Sequence, residues 1–126
     1  MPRRRIARPA VLAAALALVL TLAGCGHVSA VDPGRALRVG LTEYRLIPQD
    51  VHAHAGELSI LVHNYGQLTH NLAVRSGPHT VADTKPIAPG AGAVLLVELT
   101  PGSYTLVSTL FSDQDLGLYG TLTVTR

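Results

Sequence analysis

The sequence predicts an all-β sandwich of about seven short strands. Three observations carry that prediction. Aliphatic residues alternate with polar ones in short runs, as Val51, Ala53 and Ala55 do against Asp50, His52 and His54, and a two-residue period marks a half-buried strand. Twelve glycines and eight prolines punctuate those runs at regular spacing, which is the turn pattern of a sandwich. Beyond the N-terminal segment, no stretch sustains a helical period of apolar residues. The 126 residues suffice for one domain, and domains near this size fold without disulfides.

The first element in chain order stands outside the sandwich. Arg3, Arg4, Arg5 and Arg8 form a basic region, and Ala10–Ala23 carries no charge. That uncharged run is shorter than the ~20 residues of a membrane span and fits the apolar core of an export signal. The three consecutive arginines leave twin-arginine export open beside the general route. The run ends in Leu22-Ala23-Gly24-Cys25, which resembles the bacterial lipobox. The resemblance implies a signal peptide over 1–24, cleavage before Cys25, and a lipidated Cys25 holding the chain to the outer face of the cytoplasmic membrane. Ordinary secretion with an incidental cysteine is the alternative.

Cys25 is the chain's single cysteine, so no intramolecular disulfide forms and no thiolate remains within the fold. Four of the ten basic residues lie in the signal. From Cys25 onward, six basic residues face eight acids, a formal charge of −2. With no basic cluster left, nucleic acid is excluded as a partner. Residues 25–35 read as a polar tether broken by Pro33-Gly34, and residues 36–126 as the domain.

Leu37, Val39 and Leu41 alternate inward. The phase then slips by one residue and resumes at Tyr44 and Leu46, which predicts a bulge that carries the strand from one sheet to the other. Pro48 ends the run. Asp50–Ala55 and Leu58–His63 are the next strands, turned by Gly56-Glu57. His70 falls in phase with Leu72 and Val74 and so faces the core. His79–Gly92 lacks periodicity and holds Pro86 and Pro89, which predicts a long surface connection. Ala93, Leu95, Val97 and Leu99 form another inward set. Pro101-Gly102 turns into Tyr104, Leu106, Ser108 and Leu110, all of one phase. Phe111–Gly117 is a polar loop with two acids, Asp113 and Asp115. Leu118, Leu122 and Val124 mark the closing strand.

Pro101-Gly102-x-Tyr104, Ser108, Asp113 and Gly117-Leu118-x-Gly120-x-Leu122 resemble the C-terminal copper loop of the cupredoxins. Tyr44-x-x-x-Pro48 with Val51, Ala53 and Gly56 resembles that family's first β-ribbon. Asn64-x-Gly66-x-x-x-His70-Asn71-Leu72 resembles the segment carrying its first copper ligand. Pro89-Gly90 before an aliphatic strand completes the order. The resemblance implies a cupredoxin-like Greek-key sandwich. A type 1 copper centre takes two imidazoles, a thiolate and a weak axial donor. Of these positions only His70 keeps its residue type. Ser108 stands at the cysteine position, Asp113 at the second histidine and Leu118 at the methionine. A serine hydroxyl is a poor soft ligand and Leu118 offers no donor, so blue-copper electron transfer is not expected.

Two other metal arrangements remain open. His70, Asp113 and Ser108 converging at one end of the sandwich would suit Cu(II) or Zn(II) weakly, or would be a polar cluster that holds the loop. His52 and His54 share a strand face, and His63 joins them if their strands neighbour each other; the alternative is a solvated polar face. His27, beside the lipidated end, would add an N-terminal donor that acylation of the amine weakens, and His79, next to Pro78 in a loop, has no visible partner. No nucleophile elbow, phosphate loop, CxxC or HExxH is present, so no catalytic residue and no enzyme activity are expected. The expected protein is a non-catalytic, membrane-anchored binding or accessory module, with no resident cofactor. Its loop end, near His70, Asp113 and Tyr119, is the expected contact surface for a protein partner. Copper or zinc handling is the alternative.

Overall fold

The computed structural model describes residues 29–30 and 35–126. The signal peptide, Cys25 and His27 therefore lie outside the described residues. Ten strands and one helical turn follow in order: β1 (Ser29–Ala30), β2 (Ala36–Thr42), β3 (Arg45–Ile47), β4 (Asp50–His54), β5 (Gly56–Asn64), β6 (Ala73–Ser76), β7 (His79–Asp83), β8 (Gly92–Leu99), β9 (Gly102–Val107), α1 (Asp113–Leu116) and β10 (Tyr119–Thr125). One sheet runs β1-β4-β10-β9-β6-β7 and the other β3-β2-β5-β8. Both are mixed. β4 lies parallel to β1 and β10, and β2 parallel to β5.

The alternation read from the sequence is what closes the core. Leu58, Ile60 and Val62 of β5 and Val97 and Leu99 of β8 point inward from one sheet. Val51, Leu106, Leu122 and Val124 meet them from the other. Each such aliphatic side chain, fully buried, contributes roughly 1.5–3 kcal/mol of transfer free energy. Tyr104 anchors the start of β9, donating its hydroxyl to the carbonyl of Thr100 at 2.8 Å.

Four elements differ from the sequence reading. The phase slip is a tight turn within one sheet: β2 and β3 pair antiparallel, with Leu41 opposite Leu46. The chain changes sheets after β3, across Pro48, whose missing N–H cannot continue a ladder. The segment 79–92 is not one loop. It begins with β7, an edge strand beside β6, and later bridges His70 to Ile87. Four of the five β7 residues are exposed, so no alternation was there to read. Finally, the polar loop after Ser108 contains the single turn α1. Two residues of the expected tether, Ser29 and Ala30, pair with Val51 and His52. Arg35 is tied down by its guanidinium, which donates to the carbonyls of His54 at 2.8 Å and Glu57 at 3.1 Å.

Candidate functional site

The β2–β3 turn, the segment between β5 and β6, and the β9–β10 connection meet at one end of the sandwich. Asn64, fully buried at the end of β5, organises the middle segment. Its side-chain amide donates to the carbonyls of Leu68 (2.8 Å) and Ile87 (2.9 Å), and its carbonyl oxygen accepts the Gly66 N–H at 2.9 Å. His70 then exchanges both backbone hydrogen bonds with Ile87, at 2.7 and 3.2 Å. This framework fixes the His70 side chain, which has no solvent exposure.

Both ring nitrogens of His70 are occupied by carboxylates. Nδ1 lies 2.7 Å from Oδ2 of Asp113, and Nε2 lies 2.9 Å from Oε1 of Glu43. The Ser108 hydroxyl donates to the same Asp113 oxygen at 2.6 Å and accepts the Asn71 N–H at 3.2 Å. Asn71 reaches across in turn. Its carbonyl oxygen accepts the Thr109 N–H at 2.7 Å and its amide donates to the Thr109 hydroxyl at 2.9 Å. Among the described residues no buried side-chain polar atom lacks a partner, as a low-dielectric site requires.

Glu43 also accepts the backbone N–H groups of Gln67 and Leu68, at 2.8–2.9 Å. Those two donors, then His70, lower its pKa from 4.5 to about 2. Gly66 makes room for this carboxylate, because a Cβ there would collide with it. Burial works against a charged His70, but the hydrogen bonds to Asp113 and Glu43 outweigh it and raise the pKa above 6.5. The arrangement is a buried imidazolium donating one N–H to each flanking carboxylate, in the order Glu43–His70–Asp113.

The residues singled out from the sequence do not all come together. His70, Ser108 and Asp113 are brought into one network. Leu118 is fully buried in the hydrophobic core beside it. His52 and His54 lie on the outer face of β4, and His54 Nδ1 sits 3.0 Å from the carbonyl oxygen of Arg126. His63 does not join them. Its strand, β5, belongs to the other sheet, and its ring packs on Tyr65 with centroids 4.3 Å apart. His79 is exposed at the start of β7.

Glu43 was missed by the sequence reading, although it completes the network. It sits where the hydrophobic phase slips, and a turn residue carries no periodic signal that would aim it at His70, 27 positions away.

The donor set does not fit a type 1 copper centre. A metal needs an unprotonated ring nitrogen, and both of His70's nitrogens point at carboxylates. The described residues contain neither cysteine nor methionine, so among them there is neither a thiolate nor a thioether donor. Among the described residues no group of three or more His, Cys, Asp or Glu side chains is arranged to hold a metal ion.

No protein-family model and no curated protein sequence matches the chain. Solved structures do. Reduced auracyanin from Roseiflexus castenholzii superposes with a TM-score of 0.66 at 15% identity, covering 73% of this chain and 98% of its own. An azurin from Methylomonas sp. strain J gives 0.65 at 12% identity, covering 72% and 98%. Reduced rusticyanin gives 0.62 at 16% identity, covering 79% and 85%. The described domain is therefore a cupredoxin-like β-sandwich, with a Glu43–His70–Asp113 chain and Ser108 at its loop end.

Proposed function

We propose that this protein is a non-catalytic, lipid-anchored module on the outer face of the cytoplasmic membrane. It uses the cupredoxin-like sandwich as a rigid support for its loop end and carries no type 1 copper. One observation bears most of that reading: the two carboxylates at 2.7 and 2.9 Å from the His70 nitrogens. A proton-loaded imidazolium fills the role of a bound cation, cross-linking the β2–β3 turn to the β9–β10 connection. The loop end is thereby held in shape without a metal.

Copper or zinc handling is the second reading, favoured by the exposed His52 and His54 two residues apart on β4. Titration of Cu(II), Cu(I) and Zn(II) into the chain from residue 26 onward, followed by calorimetry, separates the two. The first reading expects no site tighter than about micromolar, a Kd equivalent to roughly −8 kcal/mol. A tighter site lost in H52A/H54A would establish the second. A tighter site lost in H70A would show that a metal displaces the His70 proton, and the first reading would fall.

A further inference from the structure

The direction of the first strand decides which end of the domain lies near its anchor. β10 begins at Tyr119, at the loop end, and runs away from it; β4 and β1 run parallel to it. The chain therefore enters β1 from the loop end. Ser29 is level with Val51, and Val51 with Leu122. That places Ser29 three residues, or about 10 Å, in from Tyr119 along the sheet. Cys25 is four residues upstream of Ser29, a reach of at most about 14 Å.

That same end carries the apolar surface. Phe111, the chain's single Phe, is 96% exposed, with Leu116, Tyr119, Leu68 and Tyr44 between 37% and 54% exposed around it. Phe111 holds φ at 49°, a left-handed conformation that bulky residues avoid. The loop thus presents this ring to solvent against its backbone preference. Tyr44, Leu68, Pro86, Leu110 and Leu116 line, with Phe111, a cleft of ≈ 700 Å³. The nearby charges do not oppose an anionic surface strongly. Glu43 and Asp113 are engaged with His70, and Arg45 and Lys85 follow Tyr44 and precede Pro86 in sequence, leaving Asp115 as the exposed acid of α1.

We propose that the loop end rests on the membrane, with Phe111, Leu116 and the flanking tyrosines in the lipid interface. The inference depends on the lipidation of Cys25 under the proposed function, and it replaces a protein partner at that end with lipid. Magnitude decides between the two. A tether of about 14 Å leaves a gap narrower than a folded partner of about 100 residues, whose radius of gyration alone is about 13 Å. Exposed Phe and Tyr are side chains that settle at headgroup depth.

The chain has no tryptophan, so F111W introduces a single reporter. L96W, on the outer face of β8 where Leu96 is 62% exposed, serves as the lateral control. Both full-length variants are expressed in a lipoprotein-processing bacterium. The purified mature proteins are then reconstituted into vesicles of phosphatidylcholine and phosphatidylglycerol, with or without brominated acyl chains. The mass of the N-terminal peptide first reads whether Cys25 carries lipid. The expected result is a lipidated protein in which F111W emission shifts to the blue and is quenched at least two-fold by the brominated chains, while L96W is unaffected. An unmodified Cys25 removes the tether argument and the proposal with it. A lipidated protein with F111W unshifted and unquenched overturns the proposal alone. A blue shift without quenching means that the ring is covered by protein, its own chain or a second copy, and not by lipid, and also overturns it.

Discussion

Holding His70 between two carboxylates makes one proton a structural component. The folded pKa of His70 is raised, so its contribution to stability is fully present below the unfolded value of about 6.5 and is lost as pH rises through the higher folded value. Glu43 behaves in the opposite sense. Its pKa is lowered from 4.5 to about 2, so its contribution is present above 4.5 and declines as pH falls towards 2. Denaturant titrations at a series of pH values should therefore show stability falling as pH rises beyond about 6.5. H70L should abolish that fall. It should also lose about 3–5 kcal/mol near pH 6, because removing one partner of a buried ion pair leaves the other uncompensated. Retention of the fall in H70L would assign it to another group.

The β9–β10 connection keeps its shape through its backbone. Ser108 N–H donates to the Leu118 carbonyl at 3.1 Å, and Leu118 N–H to the Asp113 carbonyl at 2.9 Å, so backbone bonds close the loop independently of the side chains at 108 and 113. Gly117, at φ 116°, ends α1 in a conformation suited to glycine. The loop then differs from a type 1 copper loop in its side chains, at Ser108, Asp113 and Leu118. The double variant S108C/D113H places a thiolate and an imidazole beside His70 and frees Nδ1, while Glu43 still accepts the Nε2 proton in the manner of an outer-shell partner. On adding Cu(II) it should develop an intense visible thiolate-to-copper band that the parent protein lacks. A colourless, copper-free double variant would show that the loop geometry has moved away from a metal site.

At the scale of the whole molecule, the two sheets are held by one continuous aliphatic core, and β1 is an addition at an edge. A chain beginning at residue 35 should keep a single cooperative unfolding transition. Loss of the short β1–β4 pairing should cost about 1–2 kcal/mol, on the scale of one or two net hydrogen bonds. A loss of cooperativity would mean that β1 belongs to the core of the fold.

The sequence by itself determined the all-β class, most strand positions and the phase of His70 and Ser108, because a strand half-buried against a core writes its orientation into alternating residue types. It also determined that residues 26–126 hold no cysteine, since composition alone settles that. Only the tertiary structure decided the rest. Exposed β7 carried no alternation, the slip at Glu43 proved a turn, and His63 was separated from His52 and His54 by belonging to the other sheet. The pairing of Glu43 with His70 and of His70 with Asp113 spans 27 and 43 positions. No local pattern encodes such contacts, because they arise from how turns of different strands meet at one end of the sandwich. The direction of β1, parallel to β4, is likewise a matter of strand pairing.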